Sequence, residues 1–182
     1  MKWLELDNHN FYQAFDDKQK IIRGYWLVKQ KINLEELPIF FNEQFKKFDK
    51  IKNTEIQYEE KKVYLDEIEG TSHNDYGNME LITAYIRLKR ADTYIIKDMV
   101  SKRKYDNMLR KSIMEQENPV ILSQNENGTY FVNGNGNHRI ILYKMMMYSE
   151  IAAKLEEHKI NNTKTSINAI KKKYWLIAKI KK

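Results

Sequence analysis

One continuous stretch, from residue 119 to residue 148, constrains the fold more than any other part of the chain. Two short apolar segments, Val120–Leu122 and Thr129–Val132, flank a polar turn, and this pattern predicts a β-hairpin. The second segment runs directly into Asn133-Gly-Asn-Gly-Asn-His-Arg139 and then into the apolar residues 140–148, which predict a helix. A hairpin, a glycine-rich turn and a helix in immediate succession predict an α/β (α+β) domain, with a small mixed sheet and surrounding helices.

Residues 1–60 predict a helical N-terminal extension. Residues 10–31 place apolar side chains at helical spacing. A second helix is then expected to bury Phe41, Phe45 and Phe48 against a core.

Residues 61–182 are expected to form the domain itself. Residues 62–68 predict a strand, and residues 79–90 and 93–116 predict helices. Residues 174–180 alternate as a basic C-terminal strand, whose lysines either guard a sheet edge or contact phosphates.

The chain carries a net charge of +7, which is concentrated in its C-terminal part. Residues 1–70 hold 12 Lys and Arg against 14 Asp and Glu, whereas residues 71–182 hold 20 against 11. Such asymmetry favours a surface that faces a polyanion. Lysine outnumbers arginine 26 to 6, however, and an AT-rich genome produces that bias without functional demand, so a merely solvated surface stays open. If basic residues bind nucleic acid, the expected contacts are Arg90, Lys102, Arg103, Lys104, Lys171, Lys172 and Lys173.

Residue content excludes several classes of protein. The chain has no cysteine, which excludes disulfides, thiolate nucleophiles, and cysteine-ligated zinc and iron–sulfur sites. No apolar run reaches the roughly 18 residues that a transmembrane helix needs, and the N-terminal residues are not expected to form a secretory signal. We therefore expect a cytoplasmic protein without a membrane partner.

The glycine-rich turn has the chemistry of a phosphate site. Backbone N–H groups of Gly134, Gly136 and Asn137, at the start of a helix, are expected to converge on one anion. Arg139 adds a bidentate donor for phosphate, and His138 can carry a proton near neutral pH. The alternative is a tight turn followed by an ordinary helix-start arginine.

A polar loop at the end of the first predicted strand holds the other candidates. Residues 70–77 contain two glycines and few core residues, and loops at strand ends often carry function. Glu67 and Glu69 are two residues apart, so a strand would place both side chains on one face. His73 and Asp75 follow in the loop.

We expect an active or binding site between this loop and the glycine-rich turn. His138 or His73 would act as the general acid or base. Glu67, Glu69 or Asp75 would orient a water molecule or a divalent metal, Mg²⁺ or Mn²⁺, with Glu69 and Asp75 as the candidate ligands.

The segment Glu117-Asn-Pro-Val-Ile-Leu, followed by Gly128-Thr-Tyr-Phe-Val-Asn-Gly-Asn-Gly-Asn-His-Arg-Ile140, resembles the core of the ParB/sulfiredoxin-like superfamily. Members typically show a strand with a proline and apolar residues, a turn, a second strand, an Asp-Gly-x-His-Arg run and a helix. Val63-Tyr-Leu-Asp-Glu-Ile-Glu-Gly70 resembles the first strand of the family. The likeness covers roughly residues 60 to 152.

Departures from the family pattern exclude some branches of the superfamily. Sulfiredoxins carry a cysteine where this chain has Asn137, so sulfiredoxin chemistry is excluded. CTP-binding partition proteins usually have an Asn-Pro-x-x-Pro-Arg strand end, a Gly-Glu-Arg-Arg turn and a later Glu-Asn-x-x-Arg helix. Of these, this chain has only the glycine turn, as Gly136-Asn-His-Arg139, so a partition clamp is not expected. Two branches remain: ParB-like nucleases, and free-serine-kinase-like phosphotransferases, in which a glutamate such as Glu67 or Glu69 works beside the turn.

The resemblance thus implies a ParB-like protein that acts on nucleic acid, either RNA or DNA, as a phosphodiesterase or nuclease. Small basic proteins of this composition are typical of mobile elements, and one specific hypothesis is an anti-CRISPR protein that acts on guide RNA within a CRISPR ribonucleoprotein. The alternatives are a nucleotide-binding phosphotransferase and a binding module without catalysis.

Overall fold

The computed structural model describes residues 39–51, 57–88, 119–156 and 164–181. Four features of the sequence analysis lie outside these ranges: the helices expected at 10–31 and 93–116, Arg90, and the basic run Lys102, Arg103 and Lys104.

The described residues form one mixed sheet of seven strands, which confirms the α/β class. The strands are β1 (Gln44–Lys47), β2 (Tyr58–Tyr64), β3 (Ile68–Thr71), β4 (Met79–Glu80), β5 (Ile121–Gln124), β6 (Tyr130–Val132) and β7 (Trp175–Lys181). Their spatial order is β2-β7-β5-β6-β3-β1-β4. The pairs β1–β3, β3–β6 and β5–β7 are parallel, and the remaining neighbours are antiparallel.

Three α-helices are described: α1 (Leu81–Ile86), α2 (Asn137–Glu156) and α3 (Lys164–Lys171). Two 3-10 helices are described: Ile39–Asn42 precedes β1, and Leu65–Glu67 lies between β2 and β3. Every residue from Ile140 to Ser149 is buried, so α2 is enclosed around its whole circumference. The hydrophobic core joins α2 to inward-facing strand residues, including Val63, Leu122, Val132, Leu176 and Ala178. None of the described helices is both long and apolar enough to cross a membrane.

The prediction that a helix carries Phe41, Phe45 and Phe48 is wrong. Phe41 lies in a 3-10 helix, and Phe45 lies in β1, which pairs with β3 and β4. The spacing of these rings suits a helix, but sheet pairing buries Phe41 and Phe45 equally well, and both are in the core as expected. β1 lies within residues 1–60, so this part of the proposed extension contributes to the sheet. The boundary at residue 60 stays a prediction.

The strand expected over residues 62–68 is two strands separated by a 3-10 turn. The chain leaves β2 at Tyr64 and re-enters the sheet at Ile68, as β3. Glu67 therefore belongs to the turn and Glu69 to a strand, and the expectation that both point from one strand face is wrong.

The hairpin and the terminal strand occur where expected. β5 and β6 pair antiparallel, with Leu122 opposite Val132. β7 covers the expected C-terminal strand, but it lies between β2 and β5, so its lysines do not guard an edge. Among the described strands, the edge on this side is β2, which is largely exposed and carries two glutamates and two lysines.

A partly buried charge cluster fastens Glu43, the residue next to β1, to α2. The Lys144 ammonium, which is fully buried, donates to Glu43 Oε1 at 3.0 Å, and the Tyr148 hydroxyl donates to Glu43 Oε2. Burial raises the pKa of Glu43, but Lys144 and Tyr148 outweigh it, and the pKa lies below its ordinary value of 4.5. Burial and the Glu43 charge raise the pKa of the Tyr148 hydroxyl.

Candidate functional site

The glycine-rich turn connects β6 to α2 as the sequence predicts. β6 ends at Val132, α2 begins at Asn137, and the Asn135 carbonyl accepts from the Ile121 N–H at 3.0 Å. Gly136 has φ +121°, and a Cβ at this residue would lie 2.8 Å from a Val120 methyl group. The turn therefore requires glycine at residue 136 for both its conformation and its packing.

The start of α2 gives this turn the polarity of an anion site. The first N–H groups of a helix have no partner within the helix, and the 20-residue α2 adds its positive dipole end there. Gly134 is exposed, whereas Gly136 and Asn137 are buried. The turn thus lies at a helix N-terminus, and the expected convergence of its N–H groups on one anion stays a prediction.

The loop of residues 72–78 lies beside the turn. The Ser72 N–H donates to the Val132 carbonyl at 2.8 Å, which ties the start of the loop to the end of β6. At its other end, the Lys47 N–H donates to Asn78 Oδ1 at 2.9 Å, and the Lys47 ammonium donates to the Ser72 carbonyl. β1 therefore clamps both ends of the loop.

A chain of side-chain hydrogen bonds joins the loop to the turn. The His73 N–H donates to Thr71 Oγ1 at 2.9 Å, and the Thr71 hydroxyl donates to Asn137 Oδ1 at 2.5 Å. Asn137 Nδ2 in turn donates to the Gly134 carbonyl at 3.3 Å. Both ends of the Asn137 side chain are thus used in holding the turn, and its expected contribution to a phosphate would come from its backbone N–H.

Two histidines flank one buried tyrosine, and we call His73, Tyr76 and His138 the histidine–tyrosine cluster. The Tyr76 hydroxyl and His138 Nε2 share a hydrogen bond of 2.8 Å. The ring of His73 lies 5.1 Å from the Tyr76 ring, and the His138 ring lies 5.5 Å from it, edge-on. The loop and the turn, distant in sequence, therefore each place one imidazole beside Tyr76.

The three acidic candidates differ in which groups they contact. Asp75 is closest: its carboxylate lies 4.0 Å from His73 Nδ1, and its N–H donates to the same nitrogen at 3.2 Å. Glu69 pairs with Lys46 at 2.8 Å, and Glu67 accepts from the Tyr64 N–H at 3.0 Å. Glu67 and Glu69 thus have local structural partners, whereas Asp75 orients His73.

Metal-ligating side chains do not form a cluster among the described residues. Within the four described ranges, no group of three or more Cys, His, Asp and Glu side chains could hold a metal ion. Of the expected ligands, Glu69 is paired with Lys46, and the Asp75 carboxylate lies 4.0 Å from His73 Nδ1. The expected Mg²⁺ or Mn²⁺ requirement stays a prediction.

The expected phosphate and nucleic-acid contacts differ in exposure. Arg139 is only 8% exposed, at the third residue of α2. Lys172 and Lys173 are exposed in the turn between α3 and β7, and Lys171 ends α3. Lys173 also lies 3.6 Å from Glu150. This basic turn is therefore open to solvent, whereas Arg139 is set into the protein surface.

Sequence reasoning missed Tyr76 and Thr71. Tyr76 links the two histidines, and Thr71 links the loop to Asn137. The signal available in the sequence was the aromatic side chain of Tyr76 in an otherwise polar loop. Its partner His138 lies 62 residues away, beyond the range of any local pattern.

Comparison of the chain with protein-family models, with curated proteins and with solved structures gave no match. Membership of the ParB/sulfiredoxin-like superfamily therefore stays a prediction that rests on the hairpin and the Gly136-Asn-His-Arg139 turn.

Replacing Arg139 with lysine separates a phosphate contact from a packing role. Lysine keeps the charge but lacks the planar fork, so we expect phosphodiester cleavage or phosphate affinity to fall roughly 10- to 150-fold, the value of one charge-assisted hydrogen bond. The melting temperature should change little. A large fall in melting temperature with unchanged affinity would instead assign this buried arginine to structure.

Proposed function

We propose that the protein acts on nucleic acid as a phosphodiesterase, with the histidine–tyrosine cluster as its acid–base apparatus. The observation that carries this proposal is the approach of His73 and His138 to Tyr76, immediately beside the N-terminus of α2. Displacement at phosphorus needs one group to take a proton from the nucleophile and another to give a proton to the leaving oxygen. Two imidazoles can supply both functions near neutral pH.

Hydrogen bonds orient the rings of both histidines. His73 Nδ1 accepts from the Asp75 N–H, so a neutral His73 ring carries its proton on Nε2 and donates there; the ring takes up a proton only by giving up this Nδ1 contact. The Tyr76 hydroxyl holds His138 Nε2 and so fixes the orientation of that ring. The start of α2 would stabilise the charge that develops on the phosphate.

Nucleic acid is favoured over a free nucleotide by charge. The net charge of +7 and the solvent-exposed turn at Lys172 and Lys173 supply a salt-sensitive grip for a polyanion. Glu67 and Glu69, one of which a free-serine-kinase-like site would use, have their own structural partners.

Binding of single-stranded RNA or DNA should weaken steeply between about 50 and 200 mM salt, because each phosphate contact releases a counterion. Replacing Lys171, Lys172 and Lys173 together with alanine should reduce the salt slope by roughly 2, at about 0.7 per contact on single strands. Fluorescence anisotropy at several salt concentrations measures this slope, and affinity that ignores salt would contradict the proposal.

Two further arms of the assay separate the alternatives. A strong thermal shift with ATP, ADP or CTP, without cleavage of nucleic acid, would favour the phosphotransferase. Binding of nucleic acid without cleavage would favour the binding module.

The anti-CRISPR hypothesis is tested with a guide RNA, alone and within its effector ribonucleoprotein. Cleavage of the guide or inhibition of the effector supports it, and the absence of both rejects it.

A further inference from the structure

Strand register defines a second surface, on the face of the sheet opposite α2. Directly opposed residues of neighbouring strands project to the same face. β2 and β7 pair Tyr64 with Trp175, and Lys62 with Ile177. The same register places Lys179 opposite both Glu60 and Ile121. We call Lys62, Tyr64, Trp175, Ile177 and Lys179 the aromatic–lysine face.

Burial shows that this face differs from the core face. Leu176, Ala178 and Ile180 of β7 are buried in the hydrophobic core, whereas the intervening Trp175, Ile177 and Lys179 are half-exposed. Further along the sheet, Phe48 stacks on Phe131 with the ring centroids 4.6 Å apart and covers that part. The half-exposed surface therefore lies over β2 and β7.

Aromatic rings and lysines interleave on this face. The Lys62 ammonium lies 4.4 Å from the centre of the Trp175 ring and 5.1 Å from that of the Tyr64 ring. Such contacts are cation–π interactions. A nucleotide could replace them by stacking its base on a ring and placing its phosphate at the same ammonium.

Charge and ring content fit one kind of ligand. The aromatic–lysine face carries the charges of Lys62 and Lys179. At its margin, Lys181 lies opposite Ser123 and its ammonium donates to the Ile51 carbonyl at 2.6 Å. Among the described residues in this register, the acidic side chain is Glu60, which lies opposite Lys179. Unpaired bases stack on aromatic side chains, while basic side chains follow the backbone. A duplex would hide its base faces and could use only the lysines.

We propose that the aromatic–lysine face binds single-stranded nucleic acid, with bases stacked on Trp175 and Tyr64 and phosphates at Lys62 and Lys179. The proposal rests on the proposed function and adds a substrate-binding surface on the sheet, separate from the histidine–tyrosine cluster. It also specifies that the bound nucleic acid is single-stranded.

The test compares the affinity of variants for a fluorescent single-stranded oligonucleotide and for the matching duplex. Trp175→Ala should weaken single-strand binding roughly 5- to 150-fold, the value of one stacked base, and Trp175→Phe should restore most of it. Lys62→Ala together with Lys179→Ala should weaken binding and lower the salt slope by about 1.4. Lys164→Ala, which removes an exposed charge from α3, is the matched control and should leave affinity unchanged.

Circular dichroism and thermal melting verify that each variant folds. Should Trp175→Ala fail to fold, Lys62→Glu carries the same test, because it reverses a charge on an exposed residue. The proposal is overturned if the parent protein does not bind single strands, if it binds the duplex equally well, or if face variants behave like Lys164→Ala. Cleavage is scored separately: single-strand binding through this face without cleavage rejects the phosphodiesterase, and cleavage without an effect of the face variants rejects only the face.

Discussion

His138→Ala is expected to lower the rate of phosphodiester cleavage by about 10²- to 10⁴-fold at saturating substrate, the usual contribution of a general acid or base. The physical reason is the place of His138, at the start of α2 and in a 2.8 Å hydrogen bond with Tyr76. Single-turnover cleavage of a labelled RNA or DNA strand measures the effect.

Two further variants test whether the effect of His138→Ala comes from proton transfer within the histidine–tyrosine cluster. His73→Ala should cause a loss of similar size and remove one limb of the pH–rate profile, since the proposal needs two proton carriers. Tyr76→Phe keeps the ring but removes the hydroxyl that orients His138, so a smaller loss is expected. If His138→Ala unfolds the protein, His138 is structural; if His138→Ala and His73→Ala both cleave like the parent, the cluster is not catalytic.

Glu43→Gln is expected to lower the free energy of unfolding by about 3 kcal/mol, because the buried ammonium of Lys144 would lose its counter-ion. This figure is at the low end for a broken buried pair, since the Glu43 side chain is 38% exposed. For a chain of this size the loss corresponds to a fall in melting temperature of about 6–12 °C. Urea unfolding followed by circular dichroism measures it.

Lys144→Met in the Glu43→Gln background is the matched control. It replaces the unpaired ammonium with an apolar side chain of similar length, so it should recover most of the lost stability. A double variant that is no more stable than Glu43→Gln alone would show that the loss does not come from the Lys144 charge.

Acid unfolding tests the same pair through its protonation. The folded-state pKa of Glu43 is depressed, so its stabilising contribution is present above the ordinary value of 4.5 and is lost as pH falls through the folded value. The parent should therefore lose stability below about pH 4.5 more steeply than Glu43→Gln. If stability falls equally steeply with pH in the parent and in Glu43→Gln, protonation of Glu43 does not contribute to acid unfolding.

Local patterns were sufficient where one short segment determines its own conformation. Apolar segments and turn residues correctly predicted the β5–β6 hairpin, the turn after Val132 and the strand at the C-terminus. Gly136 shows why: its backbone conformation and its contact with Val120 arise within a short stretch of chain. The residues 41–48 show the limit, because their apolar spacing suited a helix and the partners β3 and β4 made part of them a strand.

The candidate site was partly predictable for the same reason. The sequence indicated that His73 and His138 belong to neighbouring segments, since each lies in a polar stretch at the end of a strand. It did not indicate that Tyr76 would join them, or that Glu67 would cap a 3-10 turn. Those contacts depend on where the chain re-enters the sheet.

The sequence by itself determined the α/β class, the hairpin, the glycine-rich turn and the helix that follows, because periodicity and turn chemistry act over a few residues. Tertiary structure alone decided that β7 lies inside the sheet, that Lys144 is buried against Glu43, and that Tyr76 contacts His138. These pairs are separated by tens of residues or more along the chain. Their contact is settled by strand order and by the packing of α2, which no local pattern encodes.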